Sequence, residues 1–173
     1  TTSATWQMDG NLCTAPVSIG SNVNPSTGAT ANEFDGNLAD VRIYDAALTQ
    51  PQITNLSRGL DVRDNLVGNW LTNRNDLLDY SGNNNHGDDS VSSEFSLDGP
   101  LNDNDVFGKN SRSFNGVDDY IDLVGTEGSY NFIQENLPFT VTGHFKWDDY
   151  NGVEKVGAIC GNNYLTAGKG WLI

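Results

Sequence analysis

Twenty-three carboxylates and two histidines are the groups in this 173-residue chain that could move protons, and their spacing decides what they could do. Cleavage of a glycosidic bond needs two carboxyl groups about 5 to 9.5 Å apart. Residues i and i+2 of a strand share a face, so the sign of such a pair is Glu-x-Asp-x-Glu. The nearest approaches are Glu33-Phe34-Asp35, where Asp35 reads as a turn residue before Gly36, and Asp118-Asp119-Tyr120-Ile121-Asp122, which would set Asp118, Tyr120 and Asp122 on one face. Neither is the expected run. A serine triad would need a Ser in a strained Gly-x-Ser-x-Gly elbow, and the sequence has none. His86 sits in a Gly/Asn-rich loop, where it reads as a brace, and His144 sits on the polar side of a strand pattern. Cys13 and Cys160 have no CxxC or Cys/His spacing, so zinc is not expected. They are open to one disulfide or to two small buried thiols. The expectation is a protein that is not an enzyme.

Binding is the remaining chemistry. Pyranose faces stack on exposed aromatic rings, and Tyr130, Tyr150 and Tyr164 sit among Gly and Asn in apparent loops, as a sugar platform would. Trp6, Trp70, Trp147 and Trp171 lie in strand contexts and are expected in the core. The net charge is -14 and the pI about 4.1. A polyanion should not approach such a surface, so nucleic acid and anionic lipid are poor partners. Divalent cations and neutral glycans are the partners this charge permits. No run of about 18 apolar residues occurs, so no membrane insertion through a helix is expected. Asn55-Leu56-Ser57 is a single glycosylation sequon.

The elements that must position these residues are strands. The chain holds 18 Asp, 22 Asn and 19 Gly but only 5 Glu. Asp, Asn and Gly are turn formers, so the class is all-β with many loops. Phe139, Val141, Gly143, Phe145 and Trp147 alternate with Thr140, Thr142, His144, Lys146 and Asp148, one face apolar and one polar. Val41 and Ile43 alternate with Arg42 and Tyr44, and Tyr120, Asp122 and Val124 with Ile121 and Leu123. Asp9-Gly10, Asp35-Gly36 and Asn115-Gly116 read as tight turns. One short helix is expected near 49–57: Thr49 and Gln52 have capping-box spacing, Pro51 suits the first turn, and Gly59 can end it. Residues 58–65 are polar and read as a linker. Residues 81–87 and 98–110 read as loops.

Two blocks carry a family resemblance. The first is Phe34-Asp35-Gly36-Asn37-Leu38-Ala39-Asp40-Val41-Arg42-Ile43-Tyr44-Asp45-Ala46-Ala47-Leu48-Thr49. The second runs from Leu66-Val67-Gly68-Asn69-Trp70 through Asp79-Tyr80-Ser81-Gly82-Asn83-Asn84-Asn85-His86-Gly87. It continues in Ser113-Phe114-Asn115-Gly116-Val117-Asp118-Asp119-Tyr120-Ile121 and Phe139-Thr140-Val141-Thr142. Together they resemble the laminin G-like jelly roll of the concanavalin A-like lectin/glucanase superfamily. The resemblance implies an antiparallel β-sandwich (jelly roll), with the first block as closing strand and helix and the second as opening strands. His144 departs from it, standing where the family often has Trp.

The resemblance also implies calcium at loop ends. Calcium takes six to eight oxygens, and Asp79 with Asn83 and Asn85, and Asp118 with Asp119, are the candidate ligands. The same residues could instead tie their loops through backbone N–H bonds. The closing pattern comes before the opening one. Residues 1–60 are therefore expected to close one module and residues 61–173 to open the next, in a tandem repeat; the alternative is one circularly permuted sandwich. With the cysteines in different modules, free thiols are favoured. Such a slice should expose apolar residues such as Phe139, Val141 and Phe145. The implied function is a non-catalytic extracellular or cell-surface module for recognition or adhesion. Its expected partners are a glycan or glycoprotein surface and neighbouring copies. The alternative is a structural sandwich of a filament, fibre or virion surface.

Overall fold

The computed structural model describes residues 16–23, 29–71, 76–91, 94–96, 111–123, 129–133, 135, 137–147, 157–162 and 173. The strands in chain order are β1 (Val17–Ile19), β2 (Asn22–Val23), β3 (Thr30–Ala31), β4 (Asp35–Tyr44), β5 (Leu66–Trp70), β6 (Asp88–Val91), β7 (Glu94–Ser96), β8 (Ser111–Asn115), β9 (Tyr120–Leu123), β10 (Thr140–Trp147) and β11 (Cys160–Gly161). Among the described residues one helix, α1 (Gln50–Ser57), and a 3-10 turn, Asn131–Ile133, complete the set. The protein is an all-β sandwich. One sheet has the order β11-β1-β9-β6, the other β10-β4-β8-β7 with β5 beside β4, and β2-β3 pair separately. The pairings are antiparallel.

The core lies between the two larger sheets. Val17, Ile19, Ile121, Leu123 and Cys160 come from the first; Leu38, Val41, Ile43, Trp70 and Phe114 come from the second. A smaller cluster of Tyr44, Val62 and Leu66 sits with Leu48 and Leu56 beside the helix.

β4 organises the second sheet. Its first half pairs β8, its second half pairs β5, and β10 runs along its other side. Between the halves Asp40 adopts φ 55, and the register with β10 shifts there. This bulge inserts one extra residue. It moves the inward phase by one position, so that Leu38 joins Val41 and Ile43 in the core although they are three residues apart. The side chain of Asp40 accepts from Arg42 Nε at 2.8 Å and Nη2 at 3.0 Å, and Arg42 Nη1 reaches Asp61 at 3.0 Å.

The helix forms as its caps dictate. The Thr49 N–H donates to Gln52 Oε1 at 2.8 Å, and Gly59, at φ +73, takes the left-handed position that ends it. Residues 58–65 are not a loose linker. Val62 is 6% exposed, its carbonyl accepts from Tyr44 Oη, and Asn65 O accepts from the Asp45 N–H. Their polar side chains close an ion-pair network on β4, which a polarity pattern alone cannot distinguish from solvation.

Asp35-Gly36 is not a turn: it opens β4, flanked by β8 and β10. Asn115-Gly116 does turn the chain, between β8 of one sheet and β9 of the other. Strands from both sides of residue 60 share both large sheets, since β1 pairs β9 and β11, and β4 pairs β5, β8 and β10. The boundary near 60 divides sequence patterns, not sheets.

Candidate functional site

The loop between β5 and β6 is built around one carboxylate. Asp79 bridges Trp70 in an isolated antiparallel contact and is 6% exposed. Its Oδ1 accepts the N–H groups of Asn69 (3.0 Å) and Ser81 (2.8 Å). Its Oδ2 accepts Ser81 Oγ (2.8 Å) and the Asn85 N–H (3.1 Å). The Asp79 N–H donates to His86 Nδ1 at 3.0 Å, so His86 braces the loop. A carboxylate offers about four lone-pair sites, and protein donors fill that number here.

The amides of the loop turn inward. Asn83 Nδ2 donates to Val67 O at 3.0 Å, and Asn85 Nδ2 donates to Val67 O at 3.4 Å and to Tyr130 Oη at 3.0 Å. Tyr130 Oη donates to the same Val67 carbonyl at 3.3 Å. Tyr130 is 1% exposed and packs on Trp70 and Phe132. Burial, then the charge of Asp79, pushes its phenol well above the usual tyrosine range. Gly68 permits this packing, because a Cβ there would meet the Trp70 ring and Tyr130 Oη.

Tyr130 is thus a core residue and not an exposed sugar platform. Its hydroxyl finds buried partners, which lets the ring go inside; the surrounding Gly and Asn mark a turn that faces inward. Tyr150 and Tyr164 lie outside the described residues, as do Cys13, Trp6 and Trp171.

The second candidate loop is a separate staple. Asn115 Oδ1 accepts the N–H groups of Val117 (2.8 Å), Asp118 (3.1 Å) and Asp119 (3.3 Å). Asp119 Oδ2 accepts the Asn115 N–H at 2.9 Å, and Asp118 Oδ1 accepts Asn115 Nδ2 at 2.9 Å. Asp118 lies in this turn before β9, so it does not share a strand face with Tyr120 and Asp122. Among the described residues, no three His, Cys, Asp or Glu side chains converge as a metal cage. At Asp79 the groups facing the carboxylate are N–H and O–H donors, where a cation would need oxygen lone pairs. As arranged, that loop fits a brace and does not fit calcium.

A different surface, expected from the sequence at Phe139 and Phe145 but not at Trp147, lies along β10. On β10, Val141 stands opposite Ile43, Phe145 opposite Leu38 and Trp147 opposite Gly36. The apolar face of β10 is therefore on the core side, yet Phe145 is 53% exposed and Trp147 36%; Phe139, just before the strand, is 37% exposed. Phe145 and Trp147 pack edge-on against the buried Phe34, with centroids 6.5 and 4.8 Å away. Strand alternation assigned Trp147 to the core because it gives the face of a residue, not whether that face is covered.

Cys160 is fully buried and free, and burial pushes its thiol up to about 12. No helix among the described residues is long and apolar enough to cross a membrane. No protein-family model matches this chain, and no curated protein or solved structure matches it.

Proposed function

We propose that this chain is a non-catalytic β-sandwich of the laminin G-like jelly-roll kind, an extracellular recognition or adhesion module of a larger repetitive surface protein, with neutral glycans as the favoured ligand. The observation that supports this is the use of its carboxylates. Asp79, Asp119 and Asp40 hold loops and a strand bulge through short hydrogen bonds, which are structural tasks. The net charge of -14 favours neutral over acidic saccharides. With Tyr130 inside the core, Phe145, Phe139 and Trp147 are the exposed aromatic groups among the described residues, and Phe145 and Trp147 lie together on β10.

Retention on columns of neutral polysaccharides tests the reading. The protein should be retained, Trp147→Ala and Phe145→Ala variants with unchanged melting should elute early, and Tyr130→Phe should behave as the parent. Elution of the parent in the void from every column would contradict it. Incubation with β-glucans should release no reducing ends; release abolished by Asp118→Ala or Glu33→Ala would refute the non-catalytic part. A second reading, a structural building block of a fibre or virion surface, is favoured by the exposed Phe139 and the uncovered core-side Phe145.

A further inference from the structure

Residues 16–23 and 29–48 occupy an unusual place in the topology. Among the described residues, β1 lies between β11 and β9, and β4 lies between β10 on one side and β8 and β5 on the other. All these neighbours come from residues 66–161. The segment thus supplies an inner strand to each large sheet, and the following chain supplies the strands on either side. Its side chains are deeply buried: Val17, Ile19, Val41, Ile43 and Tyr44 are 0% exposed and Leu38 is 1%. The remaining chain presents two slots with complementary register and apolar lining.

The connection out of this segment is lightly held. Residues 46–48 dock on β10, where Thr140 Oγ1 donates to Ala46 O at 2.9 Å and accepts the Leu48 N–H at 3.0 Å. Asp61, Val62 and Asn65 dock on Arg42, Tyr44 and Asp45. Between these anchors lies α1, which has no fully buried residue, leaves Ile53 45% exposed, and packs Leu56, partly buried, against Tyr44, Val62 and Leu66. Reopening α1 sacrifices little packing.

We propose that the chain before α1 is an exchangeable donor through its strands β1 and β4, and that its partner is a second copy of this chain, whose slots accept these strands in trans with α1 as the hinge. Among the described residues every strand contact of the closed molecule is reproduced in the exchanged one, so their exchange costs only the hinge and is favoured by concentration. The proposal does not depend on the glycan reading.

Register-matched cysteines in full-length chains test it. Asn37 stands opposite Lys146 on β10 and opposite Ser113 on β8. Chains carrying Asn37→Cys with one tag are mixed with chains carrying Lys146→Cys or Ser113→Cys with another, all with Cys13→Ser. The mixtures are unfolded, refolded together over a range of concentrations, and oxidised. The expected result is a disulfide joining the two tags, in species of at least twice 18.8 kDa by light scattering, increasing with refolding concentration. Chains carrying both cysteines should close their own disulfide in the monomer. Internal closure with no mixed-tag disulfide at any concentration overturns the exchange. Failure of internal closure in both pairs overturns the register on which it rests.

Discussion

Asp79 concentrates the residue-scale argument. It is buried, and four donors from Asn69, Ser81 and Asn85 converge on it. Hydrogen bonds to a charged group contribute about 1.5–3 kcal/mol each, part of which water recovers at a loop. Asp79→Ala should therefore cost about 3 kcal/mol in urea unfolding. Melting temperatures in calcium and in chelator should coincide; a rise in calcium that the variant loses would reinstate a metal at this loop. Cys160 and Tyr130 set the alkaline limit. Burial raises both groups above their ordinary values of 9.0 and 10.0, so the folded state holds protons that the unfolded chain releases. Their contribution is intact below about pH 9 and is lost as pH rises toward 12, by up to about 1.4 kcal/mol per pH unit for each group. Cys160→Ala should flatten the first part of that decline in denaturation measured from pH 8 to 11. An unchanged slope would place the thiol in contact with solvent.

At the scale of elements, β4 and its bulge carry the second sheet. Asp40 holds a left-handed conformation, and its carboxylate pairs with Arg42, which is only 6% exposed. Removing Asp40 leaves the buried Arg42 with only the half-exposed Asp61, at a cost in the lower part of the range of about 3–5 kcal/mol for a broken buried pair. Asp40→Ala should fall in that range by chemical denaturation, while the Asp40→Ala/Arg42→Met double variant should recover part of the loss. A cost below 1 kcal/mol for the single variant, about that of a surface pair, would mean that the bulge is held by the ladder alone. This element also shows what a sequence can disclose. Alternation of Val41 and Ile43 announced a strand, and Thr49, Gln52, Pro51 and Gly59 announced the helix, because both signals are local. The bulge at Asp40 and the docking of residues 58–65 were not legible: the first breaks the period that reveals strands, and the second depends on Asp61 meeting an arginine nineteen residues away. Asp79 was legible as a special residue. Whether it faced a cation or amides depended on Asn69, Ser81 and Asn85, whose placement is tertiary. Tyr130 misled for the same reason, since Gly and Asn mark a turn without saying which way it faces.

For the whole molecule, strands from both sides of position 60 enter both large sheets. On the proposed jelly-roll reading the two blocks stand in inverted order, a pattern shared by two unfinished modules and one permuted unit. The structure interleaves the blocks within both large sheets. A cut in the exposed helix separates the two possibilities. With a protease site inserted between Thr54 and Asn55 of the full-length chain, cleavage leaves two fragments joined only by noncovalent contacts. If they share one core, they should co-elute at the mass of the uncut protein at low concentration and melt in a single transition, parting only in denaturant. Fragments that separate on the column without denaturant would contradict the single sandwich and make each block part of a different module.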